Sequence, residues 1–310
     1  VTPGFDHKSV MVAEVLAALR PGAGGVHADG TLGGAGHAAA MLAASSPDGR
    51  LFGCDRDGVA IEAATRRLAE FAGRFEIRQG NFSGLSEWVP AESCDSALLD
   101  LGVSSPQLDV AERGFSFQQD GPLDMRMDRT QGVTAADLVN TSPVEELARI
   151  FWQYGDEHDS RRFARAIELD RRGTQFKTTR QLAELIERLS PRGGRKAHPA
   201  TKVFQALRIA VNDEMGSLER GLSGMLQILK PGGRLAVITF HSLEDRTVKN
   251  VFRSWARDYE FDGEVDIPEL RRPRQPEVTL VTRKAVLPGA VELAENPRSR
   301  SAQLRVVEKI

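Results

Sequence analysis

The chain has 310 residues, 41% of them hydrophobic and 27% charged, a composition that supports a sizeable buried core. No apolar run approaches the length of a membrane span, and two cysteines, Cys54 and Cys94, are too few for a disulfide framework or a zinc ribbon. Membrane, collagen-like, disordered and disulfide-rich classes are thereby disfavoured. A cytoplasmic location is expected, because the N-terminal VTPGFDHKSV lacks the basic-then-apolar layout of a secretory signal. Helical spacing predicts a helix over 9–20, closed by Pro21-Gly22. A strand over 25–29 runs into a Gly-rich turn, Gly30 to Gly36, and an Ala-rich helix from about His37. Further strands are predicted over 51–55, 75–79 and 96–100, with a helix over 59–71 between the first two.

Residues 101–132 are polar and punctuated by Gly and Pro, too long for an ordinary connection. Residues 134–190 read as helices, and Pro191 to Lys196 as an exposed basic loop. The α/β pattern resumes with one long helix over 201–229, the turn Lys230-Pro231-Gly232-Gly233, a strand to Phe240 and a helix over 243–256. Strands over 277–282 and 302–307 follow. Alternating strands and helices indicate a mostly parallel sheet. The predicted organisation is one α/β domain, 1–132 with 201–310, carrying a helical insertion over 133–200.

The net charge of −2 is unevenly spread. Residues 1–160 hold 12 basic and 24 acidic residues, whereas 161–208 hold 13 and 4. Acidic pockets suit cationic or neutral ligands, and a basic segment suits phosphate backbones or is simply a solvated face.

The turn Ala28-Asp29-Gly30-Thr31-Leu32-Gly33-Gly34-Ala35-Gly36-His37 lies between a strand and a helix, and Asp55 ends the next strand. Glycines let a ligand approach the main chain, and a carboxylate at the second strand end accepts bonds from ribose hydroxyls. NAD and S-adenosyl-L-methionine both fit such a layout. Asp29 at the head of the turn, Leu229-Lys230-Pro231-Gly232-Gly233-Arg234-Leu235 before a late strand, and the absence of a strict G-x-G-x-x-G favour the latter.

Longer stretches resemble a known family. His7-Lys8-Ser9-Val10, Asp29 to His37, Leu98 to Asp109 (LLDLGVSSPQLD) and Arg113 to Phe117 are the first of them. His198 to Thr201, Phe240 to Arg246 (FHSLEDR) and Asn296 to Ser301 follow. Together they resemble the bacterial 16S ribosomal RNA (cytosine-N4)-methyltransferases that act at the decoding centre. The resemblance implies a class I, Rossmann-like methyltransferase fold with an antiparallel last strand. It implies S-adenosyl-L-methionine as cofactor and cytidine 1402 of 16S rRNA, in the small ribosomal subunit, as substrate. Cofactor contacts are expected from Asp29, Gly30, Gly33, Ala35, Gly36, His37, Asp55, Phe82, Asp100 and Gln107. Position 35 is Ala where some relatives carry Gly.

Amino-methyltransferases often carry an Asp/Asn-Pro-Pro-aromatic motif after the fourth strand, but this chain has Asp100-Leu101-Gly102-Val103. Asp100, or a nearby backbone carbonyl, is expected to accept from the cytosine N4, with His241 and Asp245 holding the base. The segment from His241 also fits a helix start, with Ser242 as cap and Asp245 at the third position. Phe115 and Phe117 are expected to stack on the base or to pack their loop. Arg192, Arg195, Lys196, Arg271, Arg272 and Arg274 are expected to meet phosphates. No histidine or cysteine pair has metal-ligand spacing. A homodimer through an apolar helix of the insertion is a further expectation. The rival readings are an NAD-dependent oxidoreductase and an RNA-binding assembly factor without turnover.

Overall fold

In the computed structural model, residues 9–193, 197–261 and 266–310 are described. The chain divides into two compact units, Val1–Gly102 with Ser217–Ile310, and Val103–Gly216. The first unit opens with α1 (Val12–Leu19), β1 (Val26–Asp29), α2 (Gly36–Ala44), β2 (Arg50–Asp55), α3 (Gly58–Arg67), β3 (Phe75–Gln79) and β4 (Cys94–Asp100). The run Cys94-Asp95-Ser96-Ala97-Leu98-Leu99 is a strand because four consecutive residues from Ser96 are buried, as in a sheet covered on both faces.

The second unit holds α4 (Ser105–Asp109), α5 (Ala135–Thr141), α6 (Val144–Gly155), α7 (Ser160–Arg171), α8 (Thr179–Leu189) and α9 (Thr201–Val211). Reciprocal Thr134/Asp137 and Thr178/Gln181 caps start α5 and α8. Its core joins Leu123, Met125, Phe151, Phe163, Ile186, Phe204 and Leu207. That core explains why the unit is wider than the 133–200 read from sequence: Leu123 and Met125 before it, and α9 after it, supply its packing.

The predicted single helix over 201–229 is two helices, α9 and α10 (Glu214–Ile228). Asn212 ends α9 because its amide donates to Met125 O at 2.8 Å and accepts from Met127 N at 2.8 Å, and Asp213 then takes φ 45°. The first unit resumes through α10 with β5 (Leu229–Thr239), α11 (Ser242–Trp255), β6 (Tyr259–Phe261), β7 (Arg271–Pro273), β8 (Val278–Leu280), α12 (Ala290–Glu295) and β9 (Gln303–Lys309).

The main sheet runs β3-β2-β1-β4-β5-β9-β8. The pairings from β3 to β5 are parallel, and β9 is antiparallel to both its neighbours. Counted by its own seven strands the order is 3-2-1-4-5-7-6, the class I methyltransferase arrangement expected from the sequence. Lys230 to Gly233 bulge out of the β4–β5 pairing, which passes from Cys94↔Leu229 to Ser96↔Arg234. β6 and β7 form a separate hairpin.

Candidate active site

Three carboxylates stand at the carboxyl ends of β1, β2 and β4, where open α/β sheets bind ligands. Asp29 is 1% exposed. Its Oδ1 accepts from Thr31 N at 3.0 Å, and its Oδ2 is buried without a partner among the described residues. Burial, only partly offset by His37 and the Thr31 amide, pushes its carboxyl up to about 6. Asp55 accepts from Gly33 N at 2.8 Å and from Asp57 N at 2.9 Å, so it fastens the Gly-rich turn to the end of β2. Burial raises it too, to about 6, against those same two amides.

The Asp100 amide donates to Thr31 Oγ1 at 2.6 Å. Its Oδ2 lies 3.4 Å from His37 Nε2, an ion-pair contact without the alignment of a hydrogen bond, and its Oδ1 is buried without a partner among the described residues. Burial depresses the His37 imidazole, but Asp100, Asp29 and Glu292 more than reverse this and raise it. One imidazole among these carboxylates leaves an excess of negative charge that a cationic ligand relieves.

The turn itself is shaped for close approach. Gly33 has φ 48° and Ala35, the residue before α2, has φ 56°. The first backbone N–H groups of α2, including those of Gly36 and His37, have no acceptor within the helix and suit a carboxylate. Gly36 packs closely on Ser9, whose Oγ a Cβ there would displace. Gly30 likewise faces Met225, Leu99 and the Phe82 Cβ. Phe82 follows Asn81, whose side chain holds Ser83 N at 3.1 Å and Ser217 Oγ at 2.7 Å. Its ring edge occupies the space that a side chain at Gly221 would take.

The remaining expected residues are placed differently. His241 is the N-cap of α11: its Nδ1 accepts from Glu244 N at 3.3 Å, and Glu244 Oε2 accepts from Phe240 N at 2.9 Å. The cap is therefore His241 and not Ser242, because the imidazole nitrogen takes the acceptor role that a hydroxyl usually fills. Asp245 is held by Arg305 through two bonds, of 2.6 and 3.0 Å, which commits it to the β9 side of α11 rather than to a base.

In the helical unit, Gln107 is buried and its Oε1 closes a capping box on Ser104 N at 3.0 Å. Phe115 is 7% exposed, and Phe117 packs against His198 and Phe204 at centroid distances of 4.6 and 4.8 Å. Phe117 thus packs against that unit's core, the second of the two alternatives, while Phe115 is buried. Arg192 is exposed, and Arg195 and Lys196 lie outside the described residues. On the hairpin, Arg272 is exposed, Arg271 bonds Asp266 at 2.7 Å over the Tyr259 ring, and Arg274 bonds the Arg257 and Ser254 carbonyls.

Sequence reasoning missed Thr31, which ties Asp29 to Asp100, and Arg67, whose Nη1 donates to Gly34 O at 3.2 Å. Thr31 sits inside the quoted motif and was legible there. Nothing in the spacing marks Arg67 or Glu292.

With this geometry in place, comparison with known proteins is decisive. The model of the MraW methylase family matches residues 4–310. The chain belongs to the MraW methylase family. Methylases of this family use S-adenosyl-L-methionine, which removes the nicotinamide alternative. The partnerless oxygens of Asp29 and Asp100 and the open end of α2 fit that cofactor's cationic and carboxylate ends. Proteins named ribosomal RNA small subunit methyltransferase H are similar along their whole length. That of Citrifermentans bemidjiense is 53% identical over 99% of each chain. That of Syntrophotalea carbinolica is 53% identical over 99% of this chain and 98% of its own. That of Geobacter sulfurreducens is 52% identical over 99% of each.

Proposed function

We propose that this methylase transfers a methyl group from S-adenosyl-L-methionine to N4 of cytidine 1402 of 16S rRNA within the small ribosomal subunit. What supports the reading most is full-length similarity to small-subunit rRNA methyltransferases, joined to a buried, partnerless Asp100 oxygen at the carboxyl end of β4. When bound, the cofactor supplies a methyl group on a cationic sulfur.

This chain's residues bind and orient. Asp55 takes the ribose hydroxyls, Phe82 lies against adenine, and the amides of Gly36 and His37 take the methionine carboxylate. Asp29 sits opposite cationic charge. The amine N4 is a poor nucleophile because its lone pair is delocalised into the ring. Asp100 Oδ1 accepts an N4 hydrogen and draws the lone pair out of conjugation, while His37 holds Oδ2. His241 and Asp245 act one step removed, by setting the start of α11.

The base must leave its stack to reach this site. Arg192, Arg195, Lys196, Arg271, Arg272 and Arg274 meet RNA phosphates, with Arg271 and Arg274 also bracing their hairpin. No helix among the described residues is long and apolar enough to cross a membrane. A ribosomal substrate is met in the cytoplasm, which is the location this reading carries. Two copies pair through the helical unit, where Trp152 and Leu169 are 55% and 62% exposed.

The test is methyl transfer from labelled cofactor to small subunits of a strain lacking this gene, followed by nucleoside analysis. Labelled N4-methylcytidine at position 1402 is the expected product. Cofactor binding without label in 16S rRNA rejects the substrate. A monomeric mass by light scattering at assay concentration rejects the dimer.

A further inference from the structure

The flipped base needs a surface that holds it flat beside Asp100; Phe115 is buried, and Phe117 packs against the core of the helical unit. The motif that usually brings an aromatic ring to this place is also missing, since Asp100-Leu101-Gly102-Val103 has none. The register of the sheet supplies one from the neighbouring strand. β4 and β5 are parallel with Asp100 opposite Ile238, and Leu101 N donates to Ile238 O at 3.0 Å. Two residues further on, Gly102 comes opposite Phe240.

The contact is direct: a Cβ at Gly102 would lie 3.3 Å from Phe240 Cδ2. Gly102 has φ 98°, so both its backbone and the adjacent ring disfavour a side chain there. Two residues of strand rise put Phe240 about 7 Å beyond the level of Asp100, within the span of one pyrimidine and its amine. The ring is half-buried, and its main chain is fixed because the buried Glu244 carboxylate accepts from both Phe240 N and His241 N.

We infer that Phe240 is the aromatic surface on which the target cytosine stacks while Asp100 takes its N4 hydrogen. The assignment rests on the proposal above that the acceptor is a cytosine amine. It replaces the aromatic of the usual motif with one from the next strand, and it gives Gly102 its reason: a bare Cα beside the ring leaves room for the base.

Substitution separates stacking from packing. Phe240→Leu keeps an apolar side chain but has no π-face, whereas Phe240→Tyr and Phe240→Trp keep the face. Stacking of one base is worth roughly a tenfold to hundredfold effect, so Phe240→Leu is expected to lower kcat/KM for small subunits by about that factor. Phe240→Tyr is expected to stay within about threefold of the parent, because the stacking surface is retained. Cofactor affinity is expected to be unchanged in Phe240→Leu, and the unfolding midpoint to fall only slightly, since the half-buried ring also packs against the core of the sheet. A small-subunit RNA fragment carrying the fluorescent base pyrrolocytidine at the target position gives a second readout. Its emission is expected to be quenched by the parent and by Phe240→Trp, but not by Phe240→Leu.

Full turnover and quenching in Phe240→Leu would overturn the inference and leave Phe240 a packing residue. A parent enzyme that binds cofactor but forms no N4-methylcytidine overturns the underlying proposal instead. The two failures are thus distinguishable in one set of assays.

Discussion

Lowering the pH from 7.5 to 5 is expected to weaken cofactor binding about a hundredfold, through Asp29 and Asp55. Both carboxyls sit at about 6 in the folded, ligand-free protein, above their ordinary value, because burial disfavours the charge. The folded state therefore holds more protons than the unfolded chain between about pH 4 and pH 6, and its stability falls as pH rises through that window. For Asp29 the loss amounts to about 3 kcal/mol once the pH is above 6. The same shift gives Asp55 a loss of about the same size.

The cofactor binds the ionised forms, through cationic charge at Asp29 and ribose hydroxyls at Asp55. Its binding must then expel a proton from each at low pH. A group with a pKa near 6 is about 97% ionised at pH 7.5 and about 9% at pH 5, so each contributes about a tenfold loss. Titration calorimetry across this range, in buffers of different ionisation enthalpy, reads both Kd and protons released. Release is expected to approach two protons per cofactor near pH 5. Asp29→Asn and Asp55→Asn are each expected to weaken binding at pH 7.5 and to remove one proton from the count. A Kd that stays flat to pH 5, with circular dichroism showing the protein folded, would refute the electrostatic account of this cluster.

Asp100→Ala is expected to abolish methyl transfer, a loss of about a thousandfold or more, with the protein still folded; near-normal turnover on small subunits rejects Asp100 as the N4 acceptor. Ala35→Gly is expected to change stability by less than about 1 kcal/mol, since relief of a left-handed Ala is offset by the loss of a fully buried methyl group and the added freedom of an unfolded Gly; a larger shift of the urea midpoint contradicts this. His241→Ala is expected to cost about 1 kcal/mol of stability as a lost helix cap, and His241→Asn to restore most of it. Gly221→Ala drives a methyl group into the Phe82 ring and is expected to raise the cofactor Kd severalfold by calorimetry, while Gly22→Ala, which meets open space, leaves it unchanged.

β1, β2 and β4 were legible because they are short, largely apolar runs ended by Asp. The edges of β2 and β4 lie within two residues of those predicted. Asp29, Asp55 and Asp100 were legible for the same reason, being the polar residues that end such runs. The break between α9 and α10 was not, because helical apolar spacing continues across it. What stops α9 is a pair of bonds from Asn212 to backbone more than eighty residues away. The limits of the helical unit were misread on similar grounds, since Leu123 and Met125 lie in a stretch with no periodicity and owe their burial to α5–α9. Ser242 was weighed as the cap because hydroxyls usually fill that role, and only geometry reveals the His241 nitrogen one residue earlier. Arg305, which claims Asp245, stands sixty residues beyond it with no local signal.

β9 lies between β5 and β8 although it is made after both. During synthesis, β8 has no neighbour in the sheet until residues 303–309 have left the ribosome, and β5 presents an open edge carrying the apolar Ala236 and Ile238. A nascent chain is thus most prone to self-association just before its sheet closes. Deleting the seven residues of β9 removes two strands from the sheet rather than one, since β8 pairs with β9.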